Sequence, residues 1–176
     1  MRAFVAVELP EGLAHDVGAM ARRVGASCDC RPTPQQNLHL TLAFLGEVGE
    51  SGASLAVDAL EEACAGVGPV ALVPRELGSF GRGRDRTLWL GFEPTPELEG
   101  LAMQLRAGLD ARGLDFDRKA FVPHVTLARR ARLVEGAFDG LEFPLGEDAR
   151  LVTLFRSYLG RDGARYKPLH TVELGA

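Results

Sequence analysis

Two segments of the chain carry the same short pattern, a histidine and a threonine two residues apart inside an otherwise apolar run. NLHLTLAFLG contains His39 and Thr41, and PHVTLAR contains His124 and Thr126. Residues i and i+2 of a β-strand point to the same face of a sheet. Each segment is therefore predicted to be a strand that presents an imidazole and a hydroxyl together on one face and packs the intervening apolar residue on the other.

The two patterns lie 85 residues apart, and strand and helix signals recur on each side of the middle of the chain. This arrangement suggests an ancient duplication, with two similar lobes that each contribute one His-x-Thr strand. A lone histidine on a strand is more often structural than functional. Two of the four histidines are followed by x-Thr-Leu, however, which makes coincidence a poor explanation.

Hydrophobic periodicity predicts a mixed α and β order along the whole chain. The clearest helix has Thr95 as its N-cap, Pro96 at its first position and Gly113 at its end. Two further helices are predicted at 11–25 and 53–65, the second with Leu55, Leu60 and Cys64 in the core. The predicted strands are 3–8, 38–45, 70–77, 87–93, 115–119, 122–129, 150–159 and 165–174, with loops at 31–36 and 130–149 and a hairpin turn at 160–163.

Length and charge limit the classes of protein that this chain can belong to. The 176 residues predict one domain over 1–176, and the net charge of -4 argues against broad attraction to polyanions, so that any contact with RNA must be local. Lys119 and Lys167 are the only lysines among 20 cationic residues. Arginine is the better partner for phosphate oxygens, so this bias is compatible with a phosphate ligand.

The cysteines and the apolar runs bear on compartment and cofactors. Cys28, Cys30 and Cys64 are odd in number and lack metal-ligand spacing, so neither a disulfide framework nor a zinc site is expected. No signal peptide or membrane-spanning run is recognisable. We therefore expect a cytoplasmic monomer that needs no cofactor, no metal and no membrane.

Three kinds of chemistry can be compared for paired His-x-Thr strands. Zinc needs three or four ligands, and the motif faces supply only two imidazoles. A nucleophilic triad fits poorly, because the threonines are paired symmetrically and no GxSxG is present. Concerted acid–base catalysis fits better: one imidazole takes a proton from water, the other gives a proton to a departing oxygen, and two hydroxyls bind the non-bridging oxygens of a phosphodiester.

The same stretches resemble a known family. HLTLAFLG, FVPHVTLARR, the opening MRAFVAVELPE and the ending LFRSYLGRDGARYKPL are similar to the 2H phosphoesterase superfamily, in particular to its RNA 2′,3′-cyclic phosphodiesterases, long labelled 2′-5′ RNA ligases. The resemblance implies a bilobal α+β fold with pseudo-twofold symmetry, in which two antiparallel sheets with outer helices surround a central cleft. It implies hydrolysis of terminal 2′,3′-cyclic phosphates to 2′-phosphomonoesters, with His39 as proton donor to the leaving oxygen and His124 as proton acceptor from water.

Two more residues match the family pattern, and strand alternation opposes both. Arg129 corresponds to the arginine of the HxTLAR pattern and is expected to contact phosphate, whereas strict alternation puts Arg130 on the His124 face unless the strand ends or bulges. Phe44 corresponds to the phenylalanine after the first motif and is a candidate for stacking on a nucleobase. Alternation places Phe44 opposite His39, which favours core packing.

Other residues are predicted to have simpler roles. The loop SFGRGRDR carries Arg82, Arg84 and Arg86 and could clasp an RNA backbone, although an exposed hairpin loop is the simpler interpretation. His170 is expected to be structural and His15 to lie on the surface. Asn37 is expected to satisfy a turn, and Tyr158 and Tyr166 are candidates for the core.

Three functions remain open from the sequence. The first is metal-independent hydrolysis of RNA or nucleotide 2′,3′-cyclic phosphates. The second is reversible 2′-5′ RNA ligation by the same acid–base pair. The third is a non-catalytic module that binds nucleotides or RNA ends.

Overall fold

The computed structural model describes residues 1–175, and Ala176, the last residue of the expected domain, lies outside the described residues. The helices in this range are α1 (Glu11–Ser27), α2 (Glu50–Cys64) and α3 (Pro96–Ala111), with a short 3-10 turn at Gln35–Asn37. The strands are β1 (Arg2–Glu8), β2 (Asp29–Pro32), β3 (His39–Glu47), β4 (Val70–Leu72), β5 (Pro74–Phe80), β6 (Arg86–Phe92), β7 (His124–Arg132), β8 (Glu147–Ala149), β9 (Leu151–Gly160) and β10 (Gly163–Glu173).

The main sheet is antiparallel and has the strand order β10-β9-β1-β3-β7-β6-β5, with β2 paired to β7 as well. Its two halves meet between β3 and β7, which pair only at Leu40 and Val125. A second, two-stranded sheet joins β4 and β8. The predicted α+β class with antiparallel sheets is confirmed, and the two halves of the main sheet correspond to the two expected lobes.

One face of the main sheet is covered by the helices and forms the core. Leu13 of α1, Leu60 of α2 and Leu105 of α3 are all buried in one large apolar cluster that includes the apolar face of the strands. A smaller cluster joins Val24 of α1 to Ala128 at the back of β7. The opposite face, which carries the histidines, is only half-buried and remains accessible to ligands.

The third helix agrees with its predicted boundaries. The Thr95 side chain accepts a hydrogen bond of 3.3 Å from the backbone N–H of Leu98, and Pro96 begins the helix. Gly113 follows the last turn with a φ of 69°, the left-handed conformation that glycine adopts without strain. This capped helix, through Leu98 and its other buried leucines, supports the sheet from behind.

The predicted strand at 115–119 is wrong, because these residues form an irregular loop. Local contacts hold this loop: the Arg118 guanidinium lies 4.1 Å from the Phe116 ring centroid, and the Asp117 carboxylate accepts a hydrogen bond from the backbone N–H of Lys119. Only the backbone N–H of Asp117 bonds to β3, at the carbonyl of Phe44. A single bond of this kind does not build a ladder.

Three further predictions need correction. The strand predicted at 70–77 divides at Val73 into β4 and β5, which belong to different sheets. Residues 31–36 are not all loop, since β2 runs through Pro32. Leu55 is 38% exposed, because α2 packs through a stripe of mostly small residues that includes Ala56 and Ala59.

Candidate active site

The two His-x-Thr segments meet at the junction of the sheet halves. Leu40 and Val125, the middle residues of the two motifs, are antiparallel Cα partners. Counting outward along antiparallel strands puts His39 level with Thr126 and Thr41 level with His124. All four point to the face opposite Leu40 and Val125, which are fully buried in the core. The junction therefore collects both imidazoles and both hydroxyls on one open surface.

Both motif strands bulge at the residue after the threonine. On β3, Thr41 pairs with Ala6 and Ala43 pairs with Val5, so that Leu42 is an extra residue. Both Leu42 and Ala43 are consequently buried on the core face. The extra residue shifts the side-chain alternation by one position beyond the motif.

The equivalent bulge on β7 lies at Leu127. Thr126 pairs with Trp89 and Ala128 pairs with Leu88, which leaves Leu127 without a partner of its own in the ladder. Leu127 and Ala128 are both buried, as Leu42 and Ala43 are on β3. The repeated sequence Thr-Leu-Ala thus has the same local structure in both halves.

These bulges overturn the alternation argument for Phe44 and Arg129. After the bulge, each lies on the same face as its histidine, and Phe44 pairs with Phe4, whose ring centroid is 4.7 Å from that of His39. Phe44 is half-buried, with the Arg2 guanidinium 5.0 Å from its ring centroid. Arg130 adopts a φ of 52° and has no Cα partner in the ladders of β7, which resume at Ala131 and Arg132.

Each histidine ring is oriented by the same hydrogen bond. Nδ1 of His39 donates to the carbonyl of Asn37 at 2.7 Å, and Nδ1 of His124 donates to the carbonyl of Val122 at 2.6 Å. A carbonyl can only accept, so Nδ1 holds the proton in the neutral ring. Nε2 of each ring is then the basic nitrogen, and it becomes a donor when the ring is protonated.

Aromatic side chains flank both rings, and the sequence did not identify them as part of the site. Tyr166 meets His39 edge-on at 5.1 Å between ring centroids, and Phe80 meets His124 edge-on at 5.2 Å. Trp89 lies 6.0 Å from His124, and its buried Nε1 has no hydrogen-bond partner within residues 1–175. A Cβ added to Gly78 would lie 2.2 Å from this indole, so Gly78 makes room for it.

Burial and positive charge make both histidines weakly basic. Burial lowers the pKa of His39 to about 4 against the opposing effect of its bond to Asn37, and the charges of Arg129 and His124 lower it further. Burial also lowers the pKa of His124, and Arg129 adds to this shift. Arg129 thus acts electrostatically on both rings.

Tyr166 shares the same electrostatic environment. Burial raises the pKa of its hydroxyl, while the positive charges of Arg129 and Arg2 oppose this effect. The hydroxyl therefore keeps its proton. Strand periodicity alone left Tyr166 as a candidate for the core, and only its cross-strand neighbours reveal its contact with His39.

A pocket of about 540 Å³ opens beside His39. Its size is within the range of small-molecule sites. None of its lining residues belongs to β7, so it lies on the side of His39 away from His124. Polar side chains and two aromatic rings line it, namely Glu8, Gln35, Gln36, Asn37, Phe155 and Tyr166.

The remaining residues singled out from the sequence lie away from this surface or support it. His170 bonds through Nε2 to the Glu61 carboxylate at 2.5 Å and so ties β10 to α2. His15 is exposed on α1. The Asn37 side-chain amide donates to the carbonyl of Ala164 at 2.8 Å, which joins the 3-10 turn to β10. Tyr158 is partly exposed and is not a core residue.

Neither a metal-binding cluster nor a membrane-spanning helix is found within residues 1–175. Within residues 1–175, no three side chains of the His, Cys, Asp or Glu type form a group that could hold a metal ion. In the same part of the chain, no helix has the length and apolar character needed to cross a membrane. The side chains that surround the histidines carry hydroxyl, guanidinium and aromatic groups.

Comparison with curated proteins identifies relatives that match nearly the full length of this chain. A protein of Thermotoga maritima named RNA 2′,3′-cyclic phosphodiesterase is 32% identical over 180 residues, which covers 97% of this chain and 94% of the relative. An Archaeoglobus fulgidus protein of the same name is 31% identical over 179 residues and covers 98% of this chain and 100% of the relative.

Solved structures share the fold. The crystal structure of Escherichia coli LigT complexed with 3′-AMP superposes with a TM-score of 0.79 at 28% identity, covering 99% of this chain and 98% of that one. The Thermus thermophilus protein TT0787 gives 0.84 at 29% identity, with 99% and 98% covered. The sequence model of the 2′-5′ RNA ligase superfamily matches residues 9–138, which include both histidines. The chain belongs to the 2′-5′ RNA ligase superfamily.

Proposed function

We propose that this protein hydrolyses 2′,3′-cyclic phosphate ends of RNA, or of nucleotides, to 2′-phosphomonoesters by paired-histidine acid–base catalysis. The observation that carries the proposal is the pairing of Leu40 with Val125, which brings two fixed imidazoles and two hydroxyls to one surface. Relatives that share about a third of the sequence are named RNA 2′,3′-cyclic phosphodiesterases, which supports the same assignment.

The proposed reaction is a single displacement at phosphorus. Water attacks as Nε2 of His124 takes its proton, a P–O bond to water forms, and the P–O3′ bond breaks. Nε2 of His39, protonated beforehand, gives its proton to O3′, so that the products are a 2′-phosphomonoester and a free 3′-hydroxyl. The next cycle begins when a proton moves from His124 to solvent and another is taken up by His39.

The charge that builds up on phosphate oxygens needs donors on two sides. Thr41 and Thr126 project from opposite strands of the junction, so their hydroxyls can each donate to one non-bridging oxygen. Arg129 adds a guanidinium fork on the same face. With protons supplied by histidine and charge balanced by these donors, the proposed reaction requires no metal ion.

The protonation of His39 depends on the substrate. In the free protein, burial keeps its pKa at about 4, so the ring is almost entirely neutral at pH 7. A bound phosphodiester brings a negative charge between the imidazoles and offsets the charge of Arg129, which raises both pKa values. Binding of the anionic substrate thereby favours the protonated form of His39, which acts as the acid in the cleavage step.

We also propose that Phe44 supports the terminal nucleobase. Its ring is half-buried on the histidine face and lies toward the end of β3 that is remote from the 3-10 turn. Aromatic rings in such positions hold unstacked bases of RNA. The opposite side of the histidine pair then remains for the rest of the polynucleotide.

Phosphorus NMR tests the function directly. Uridine 2′,3′-cyclic phosphate is incubated with the protein in excess EDTA, and the expected product is the 2′-monophosphate alone. Dependence on added divalent ions would contradict the metal-independent mechanism, and formation of the 3′-monophosphate would contradict the assignment of O3′ as leaving group. Binding without turnover would instead indicate a non-catalytic module.

Ligation is the alternative within the same site. The same acid–base pair would join a 5′-hydroxyl, attacking phosphorus in place of water, to the cyclic phosphate: His124 takes the proton of the 5′-hydroxyl, the P–O3′ bond breaks with a proton from His39, and a 2′-5′ linkage results. Because water is far more abundant than RNA ends, hydrolysis is the expected net direction. The same spectra, recorded with a 5′-hydroxyl oligonucleotide in excess, would reveal ligation as a phosphodiester signal that persists.

A further inference from the structure

Two arginines face each other across neighbouring strands next to the histidine pair. Arg31 of β2 and Arg129 of β7 are antiparallel Cα partners, and both are exposed. On either side of Arg31, Cys30 packs on the smaller apolar cluster and Pro32 lies against Gly25 of α1. Because the neighbours point toward α1, Arg31 points to the opposite face, which carries the histidines.

Like charges directly opposite one another destabilise a sheet. Among the ion pairs within residues 1–175, none includes Arg31 or Arg129. The next charged pair along the same ladder has opposite charges, since Arg132 faces Asp29. A protein with a net charge of -4 thus keeps two cations side by side without a counter-charge.

The loop between β5 and β6 adds two more cations to this corner. Arg82 and Arg84 are exposed in the loop, and β6 begins at Arg86, whose Cα partner is Ala131. Ala131 is two residues beyond Arg129 on β7, so the loop lies at the same end of the strand. We call Arg31, Arg82, Arg84 and Arg129 the arginine surface.

We propose that the arginine surface binds the phosphate backbone of the RNA strand upstream of the reacting end, with Arg31, Arg82 and Arg84 as its backbone contacts. This inference rests on the proposed function, because it takes Arg129 as the link between the reacting phosphate and the surface. Arginine forks match phosphate oxygens, which favours contacts to the RNA backbone. The protein would then prefer an oligonucleotide to a mononucleotide.

A binding experiment tests the surface without relying on turnover. Fluorescence anisotropy of 5′-fluorescein-labelled hexauridylate is measured for the wild type, Arg31→Gln and the double variant Arg82→Gln/Arg84→Gln. The control is Arg22→Gln, which removes the same charge from an exposed position on α1, behind the sheet. Thermal melting verifies that each variant is folded.

The expected result is a Kd raised about threefold to tenfold at low salt by Arg31→Gln and by the double variant, while Arg22→Gln changes nothing. Each lost phosphate contact should also reduce the slope of log K against log salt by about 0.7. Equal Kd values for Arg31→Gln and Arg22→Gln, or no binding by the wild type, would overturn the inference.

Turnover then separates this inference from the proposed function. Arg31→Gln should lower kcat/KM for a hexanucleotide that ends in a 2′,3′-cyclic phosphate and leave kcat/KM for uridine 2′,3′-cyclic phosphate unchanged. Equal losses on both substrates would place Arg31 at the reacting phosphate and overturn the inference. If the wild type cleaves neither substrate, the proposed function fails. The anisotropy measurement alone then tests whether the arginine surface binds RNA.

Discussion

Leu40 and Val125 are Cα partners at the only point where β3 and β7 pair. Each is the middle residue of a His-x-Thr motif, so the pseudo-twofold relation between the two halves passes through this pair. Both side chains are fully buried, and the groups with chemistry lie on the reverse side.

Loss of either imidazole should stop the proposed reaction. His39→Ala and His124→Ala are each expected to lower kcat by about 10²- to 10⁴-fold, the usual contribution of a positioned acid or base. Rates are measured by phosphorus NMR, with circular dichroism and thermal melting to verify folding. His15→Ala, on the exposed side of α1, is the control. A folded variant of either site histidine with an unchanged rate would contradict the mechanism.

The threonine hydroxyls should matter through their hydrogen bonds. Thr41→Val and Thr126→Val keep the shape of the side chain and remove its donor, so each is expected to lower kcat by about 10²-fold. Thr41→Ser and Thr126→Ser, which retain a hydroxyl, should recover most of the activity. Valine variants as active as the serine variants would show that the hydroxyls do not bind the phosphate.

The pH dependence of kcat/KM should reflect the lowered pKa values of both histidines. The pH dependence of kcat/KM reports the pKa values of the acid and the base in the free enzyme. The bell-shaped profile is therefore expected to have its maximum below pH 6.5, between the pKa of His39 at about 4 and that of His124. The profile of kcat should lie at higher pH, because the bound anion raises both values. A maximum of kcat/KM above pH 7 would contradict these shifts.

Removing the charge of Arg129 should move the same profile in a known direction. A positive charge lowers a histidine pKa, so Arg129→Gln is expected to raise both and to shift the maximum of kcat/KM toward neutral pH. Its kcat/KM at the optimum should also fall, because a phosphate contact is lost. Arg130→Gln removes a neighbouring charge as the control and should leave the position of the maximum unchanged.

Stability should fall in acid because of His39. Its pKa is about 4 when folded and near 6.5 when unfolded, so the unfolded chain binds the proton first. The stability that the folded protein has while His39 is neutral is fully present above pH 6.5. It is lost as the pH falls to about 4, which lowers the free energy of unfolding by about 3 kcal/mol. Urea unfolding of His39→Gln should show a correspondingly smaller decrease between pH 7 and pH 4.5. A decrease equal to that of the wild type would argue against the buried, neutral state of His39.

Much of the site could be predicted because it is encoded in short windows of sequence. Alternation within each motif correctly put His39 with Thr41 and His124 with Thr126 on shared faces, and the cap signals at Thr95 and Gly113 gave the limits of α3. The same local reasoning failed one residue beyond each threonine. A bulge depends on how two strands pack against their neighbours, so alternation could not anticipate the positions of Phe44 and Arg129.

The sequence by itself determined which residues are candidates for the chemistry, the faces on which the motifs present them, and the family of the protein, since these follow from residue type and from spacing over a few positions. Only the tertiary structure decided that Leu40 meets Val125, that Tyr166 and Trp89 flank the histidines, and that burial lowers the pKa of His39. The reason is physical: register, cross-strand contacts and desolvation are set by residues far apart in the chain, and their energies exist only once those residues are packed together.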